Sequence, residues 1–252
     1  MFTQIRQPFF LLLITFGSLW AAARIGLAFR HRHHGPSDDP QDFTFIVGAT
    51  LTLLGLIIGF TFSMAVSRYD QRKNLEAEEA NAIGTEYVRV DALPPADAST
   101  IRALLKIYLH KRILYYAARA GGPIAEINAE TMHLQNQLWA ATIAPAKTQP
   151  SPVTALVISG MNDVLNSQAY AQAAWWNRIP AAAWILLVTI SFFCNLLIGY
   201  GVRLKSNFLF LILPIVLSIS LFLIADIDSP RRGVIHVRAQ NLETLAQSLR
   251  GQ

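Results

Sequence analysis

The sequence predicts an all-α integral membrane protein: two pairs of transmembrane helices with a helical extension in water between them. Two observations lead there. Hydrophobic residues make up 53% of the 252-residue chain and charged residues only 15%, well below the roughly 25% charge of soluble domains. Four stretches also reach the roughly 20 apolar residues needed to cross the hydrocarbon core, and the region between the second and third is polar and rich in helix formers. The lipid bilayer is therefore the first expected partner. The net charge of +5 is dispersed, which fits basic flanks of membrane spans and gives no reason to expect nucleic acid. Cys194 is the only cysteine, so no disulfide can form within the chain.

The first apolar stretch covers residues 8–29 and holds one charge, Arg24, near its end, where a long side chain can snorkel. Arg6, the apolar run and Ala21–Ala23 also have the outline of a cleavable signal peptide. The run is long for a signal and a second span follows almost at once, so a retained helix is expected. The second span (43–66) and the third (179–201) carry no charge. Pro180 opens the third, a place where helices tolerate proline. Trp175, Trp176 and Trp184 cluster there as an interfacial belt would. The fourth span is 208–225, with Pro214 expected to kink it.

Between the spans, breakers at Pro94–Pro95, Gly121–Pro123 and Pro145 to Pro152 cut residues 67–178 into about four helices. One continues the second span from Ser67 to about Ala92. The next starts at Asp97 or Ser99, either of which suits an N-cap, and runs to Ala120. Its apolar face is Ile101, Leu104, Leu105, Tyr108 and Leu109. A third covers about 123–143. The fourth runs from Val153 through Trp176 into the third span. Two long continuous helices are thus expected, the first about 75 Å at ~1.5 Å per residue; the alternative is a break near Ser67 and a loosely tethered helical domain. The resulting divisions are 1–66, a first membrane pair; 67–178, the helical region; 179–225, a second membrane pair; and 226–252, a tail.

Four spans put both termini and the middle region on one side. That side carries Arg6, Arg68, Arg72, Lys73, Arg178, Arg231, Arg232 and Arg238 near the span ends; the other carries Arg30, Arg32, Arg203 and Lys205. The larger basic set marks the cytoplasmic side.

On the second helix, at ~100° per residue, Thr52, Leu56, Phe60, Ser63, Ser67, Asn74, Asn81 and Thr85 fall within one arc. It begins apolar and turns into small polar residues, as the lining of a water-filled pathway would, with Leu56 and Phe60 as an apolar constriction. Hydroxyls in membrane helices also serve packing, and Asn74 and Asn81 can simply face water. The opposite side carries Ile58, Arg68, Arg72, Leu75, Glu76, Glu79, Ile83, Glu86, Tyr87 and Val90. There, structural ion pairs are expected among Arg68, Arg72, Glu76 and Glu79, with Arg72 and Glu76 spaced i,i+4.

Gly59–Phe60, then Val66–Ser67–Arg68–Tyr69, then Arg72–Lys73 and Leu75, resemble the second-helix signature of bestrophins. Asp226–Ile227–Asp228–Ser229–Pro230 resembles their acidic-Ile-acidic-x-Pro segment. Glu78–Gly84 and the order of spans resemble the uncharacterised bacterial bestrophin-like membrane proteins. The resemblance implies a bestrophin-like fold and a pentameric ion channel of the bacterial inner membrane, with anions ahead of cations as the conducted species. It implies a pore lined by the second helix, with a neck at Thr52, Leu56 and Phe60 and further lining at Ser63, Ser67, Asn74, Asn81 and Thr85. Thr52 departs from the apolar residue of the family pattern. Arg231–Arg232 stand where calcium-binding members continue with acids, and calcium needs several oxygen ligands, so no calcium clasp is expected.

No cofactor or catalytic group is expected either. His31, His33 and His34, with Asp38, Asp39 and Asp42, read as a solvated loop rather than a zinc site. Glu78, Glu79 and Glu86 lack the Glu-x-x-His of a carboxylate metal centre, and no nucleotide, hydrolase or metalloprotease motif occurs. The alternative to a channel is a membrane-anchored helical scaffold or sensor that binds a protein partner.

Overall fold

The computed structural model describes residues 2–32, 40–201 and 209–251, with side chains described for 9–30, 41–201 and 210–251. His33, His34, Asp38, Asp39, Arg203 and Lys205 lie outside the described residues. The described chain is helical: α1 (Phe2–Arg32), α2 (Pro40–Arg89), a 3-10 turn (Val90–Ala92), α3 (Pro95–Ala117), α4 (Ile124–Thr148), α5 (Pro152–Trp176), α6 (Ala181–Gly201), α7 (Leu209–Asp228) and α8 (Gln240–Ser248). It divides into two compact units, Met1–Arg68 with Arg178–His236, and Tyr69–Asn177 with Val237–Gln252. The tail therefore belongs partly to each.

The first unit holds stretches of α1, α2, α6 and α7 long and apolar enough to cross a membrane. Its core is Leu19, Leu54, Leu187, Cys194, Leu217 and Leu221. Gly26 and Gly199 let α1 and α6 touch backbone to backbone: a Cβ on Gly26 would collide with the Leu196 carbonyl, and one on Gly199 with that of Ala23. Small residues at such crossings are how membrane helices gain packing without a hydrophobic drive. Phe9 stacks on Phe222 at 6.2 Å, and Phe43 meets Tyr200 at 5.7 Å. The start of α1 thus stands beside the end of α7, and the start of α2 beside the end of α6. Arg68 and Ile179 both reach Asp228, so the chain leaves and re-enters this unit at the end where α7 finishes.

The second unit packs α3, α4, α5, α8 and the lower part of α2 around Ile83, Tyr87, Ile101, Leu105, Tyr108, Leu138, Met161 and Leu242. The apolar face expected of α3 is the buried one, with Leu104 packed at its edge.

Four expectations need correction. The third membrane helix does not continue unbroken from Val153: the backbone is non-helical over Asn177–Pro180, between α5 and α6. Pro180 has no N–H to give the preceding turn and restricts Ile179 to extended backbone. Trp175 is not a belt residue: it is 4% exposed in the second unit's core, edge-on to Tyr115 and Tyr116 at 5.6 Å, whereas Trp176 is 72% exposed. Neither Asp97 nor Ser99 caps α3, which starts at Pro95 with Pro94 as N-cap; Ser99 donates to the Ala96 carbonyl instead. Finally, α4 runs through Pro145 to Thr148: Pro145 has no N–H to give the preceding turn, but its carbonyl accepts the Gln149 N–H at 2.9 Å and closes one more turn beyond it.

Candidate pore helix and the polar network that holds it

Helix α2 has a buried stripe in each unit. In the first unit it is Leu54, Thr61 and Ala65, with Ile58 packed at the edge; in the second it is Arg72, Glu76, Glu79, Ile83, Glu86 and Tyr87. The arc facing away is exposed at every position named for it. Thr52, Leu56, Phe60, Ser63 and Ser67 are exposed in the first unit, and Asn74, Asn81 and Thr85 in the second. Leu56 is 53% and Phe60 66% exposed, and Gly55 and Gly59 beside them have open space within 4 Å of a would-be Cβ. Thr52 donates its hydroxyl to the Gly48 carbonyl at 2.9 Å. Its donor is thereby used within the helix, which lets a threonine behave nearly as an apolar residue at that level.

Four charges of α2, Arg72, Glu76, Glu79 and Glu86, are buried on the second unit's stripe, with Arg68 half-buried. Arg68 stands 3.8 Å from Asp228, whose carboxylate accepts the Ile179 N–H at 3.1 Å. That N–H belongs to the break before Pro180, so Asp228 satisfies a donor that the missing helix would otherwise have used. Arg72 donates to the carbonyls of Ala174 and Asn177 at 3.1 and 3.2 Å, closing the end of α5 where carbonyls lack intrahelical partners. Glu76 accepts from the backbone N–H groups of Asn241 and Leu242 at 2.9 and 3.0 Å and from the Asn241 side chain at 2.6 Å. It therefore caps α8 across 165 residues of sequence, a carboxylate at the positive end of a helix. Glu79 pairs with Arg112 and accepts from the Tyr116 hydroxyl at 3.0 Å. Burial, with the Glu79 charge added, pushes the Tyr108 and Tyr116 phenols above their usual range. Burial works against the Arg112 charge, but Glu79 together with the Tyr108 and Tyr116 phenols outweighs it, and the guanidinium is held more firmly protonated than usual.

Glu86 differs. Its carboxyl is fully buried, lies 3.4 Å from Arg89, and leaves Oε1 without a hydrogen-bond partner. Burial pushes it up to about 7, Arg89 only partly pulls it back, and Asp163 adds to the rise. Gly160 makes the space: a Cβ there would collide with both the Arg89 guanidinium and the Glu86 carboxylate.

Asp226 and Asp228, at the end of α7, anchor backbone. Asp226 accepts the Val234 and Ile235 N–H groups at 2.7 and 2.8 Å.

Sequence reasoning missed Arg112, Tyr116 and Asp228 as partners of α2. Spacing along one helix gives no sign of a partner 33 residues away, as between Glu79 and Arg112. The available signal was the number of charges falling on a face otherwise built for packing.

A family model for the bestrophin-like domain matches residues 15–242. Among solved structures, a bacterial bestrophin homologue from Klebsiella pneumoniae is similar over 97% of this chain and 98% of its own, with a TM-score of 0.67 at 15% identity. A single-substitution variant of a homologue from that organism gives 0.68 at 14% identity, over 98% of this chain and 100% of its own. A crystal structure of a membrane protein gives 0.67 at 14% identity, over 96% of each chain. Identity this low shows a shared fold. No protein of curated function matches the sequence.

Proposed function

The chain belongs to the bestrophin-like family, and from that premise we propose that it is an oligomeric ion channel of the bacterial inner membrane. In this reading α2 lines an axial pore, and Thr52, Leu56 and Phe60 form its neck. Ser63, Ser67, Asn74, Asn81 and Thr85 line the path beyond. The subunits number five, and both termini and the region 67–178 face the cytoplasm. It has no enzymatic role.

The observation that carries this reading is the composition of one exposed arc. A face turned to lipid stays apolar. Within the span the α2 arc stays exposed yet passes from leucine and phenylalanine to Ser63 and, at its end, Ser67; beyond it, in water, the same arc carries Asn74, Asn81 and Thr85. Rings of Leu56 and Phe60 would make a narrow segment where water loses hydrogen bonds, a barrier set by dewetting.

Family resemblance favours anions as the conducted species. A second reading, cation conduction, is supported by Asp70 and Glu78. Both are exposed, and at ~100° per residue they fall on the two edges of the same arc, with Lys73 about 100° from its centre. Acidic rings on a pore wall favour cations. Reconstitution into liposomes with an ion-flux readout tests the channel, and the reversal potential in a salt gradient tests the sign. A positive chloride-selective result rejects the cation reading. Silence in every salt, pH and voltage turns the account towards a membrane-anchored scaffold.

A further inference from the structure

The chain turns back sharply where α7 ends. Ser229 N–H bonds the Asp226 carbonyl at 3.2 Å and Gly233 N–H bonds the Ser229 carbonyl at 3.0 Å, while the Asp226 carboxylate holds the next two amides. A Cβ on Gly233 would collide with the Asp226 carbonyl, so only glycine closes this turn. The loop is therefore held by backbone bonds at both ends, and what it displays is fixed. It displays Val234 and Ile235, both exposed large apolar side chains, next to exposed Arg232.

Beside the loop opens a cleft of about 220 Å³. Its apolar wall is Leu11 of α1 with Phe222 and Ala225 of α7, all from membrane-spanning stretches. Its polar wall is Ser229 and Arg232. Asp226 also lines it, but both carboxylate oxygens are engaged by the Val234 and Ile235 amides. An apolar wall continuous with the hydrocarbon zone, an arginine and a hydroxyl at the end of a span, and two exposed aliphatic side chains beside them match one molecule by chemistry. We propose that this cleft is a binding site for an anionic phospholipid, its phosphate against Arg232 and Ser229 and its first acyl carbons against Leu11 and Phe222. Arginine suits phosphate because its planar fork donates two parallel hydrogen bonds. The site rests on the helices being embedded in a bilayer and stands whether or not the protein conducts ions.

Native mass spectrometry of the full chain, purified in mild detergent and titrated with phosphatidylglycerol or phosphatidylcholine, tests it. The expected result is retention of phosphatidylglycerol over phosphatidylcholine, with Arg232→Ala lowering phosphatidylglycerol affinity about fivefold, the effect of one basic residue near a membrane surface. Arg232→Lys should recover part of that, and Lys147→Ala, a control in the second unit, should bind phosphatidylglycerol as the parent does. Glycerol phosphate in excess should fail to displace the lipid, because it lacks the chains that meet Leu11 and Phe222; displacement would make the site one for free phosphate and overturn the lipid assignment. Equal retention of the two lipids, or an Arg232→Ala protein that binds phosphatidylglycerol as the parent does, would also overturn it. Circular dichroism and oligomer mass of each variant separate lost binding from lost folding.

Discussion

Glu86 is the residue where burial and charge conflict most openly. Its carboxyl titrates near 7 when folded, against 4.5 ordinarily. A raised acid value means that the folded state holds the proton more tightly than the unfolded chain. Its stabilising contribution is then complete below about 4.5 and is lost as pH rises through about 7. Glu86→Gln keeps the shape and removes the titration. Its melting temperature should exceed the parent's at pH 8, by roughly 1–3 kcal/mol in stability, and match it near pH 4. A variant less stable than the parent at pH 8 would show that the ionised carboxylate is well supported. Arg112 makes the opposite prediction. Arg112→Met leaves Glu79 charged and dry, which costs roughly 3–5 kcal/mol, whereas Arg112→Met with Glu79→Gln should recover most of the loss. Chemical unfolding of the two proteins measures the difference. If the double variant is no better than the single, the pair is not the unit that matters.

At the scale of elements, local rules reached some helices and missed others for identifiable reasons. The face of α3 was legible because Ile101, Leu105, Tyr108 and Leu109 repeat at helical spacing. The break at Asn177–Pro180 was only half legible. Pro180 marks a helix start, but what lets the chain stop being helical there is Asp228 taking the Ile179 N–H, a contact between distant parts of the sequence. Helix α8 was not legible at all. Its N-cap is Ala239, with no side-chain oxygen to signal a start; the cap comes from Glu76 on α2. An i,i+4 rule directs Glu76 towards Arg72 instead. Glu76→Ala should therefore release the first turn of α8, costing roughly 1–2 kcal/mol. Hydrogen exchange would read this as faster exchange at Asn241 and Leu242, with α3 protection retained. Unchanged exchange in α8 would mean that packing of Leu242 alone holds the helix.

At the scale of the whole molecule, the spans and the exposed arc of α2 were legible because both follow from periodicity and apolar length, which a single sequence carries. The network behind α2 was not, because its partners come from α3, α5, α7 and α8. What no single chain contains is the axis that the arc would face. Five subunits are expected, and native mass of the purified protein checks that number: a strict monomer removes the pore, and two to four subunits remove the pentamer. The central claim is that the arc through Leu56 and Phe60 is the wall of an ion path. Ion flux in liposomes, at equal amounts of folded oligomer, tests it with two variants. Leu56→Ala with Phe60→Ala should widen and hydrate the neck and raise flux above the parent. Ile58→Ala, on the packed side, should leave flux near the parent's and lower stability by roughly 2–5 kcal/mol at most. Raised flux in Ile58→Ala with none in the neck double variant would contradict the account and turn the helix the other way.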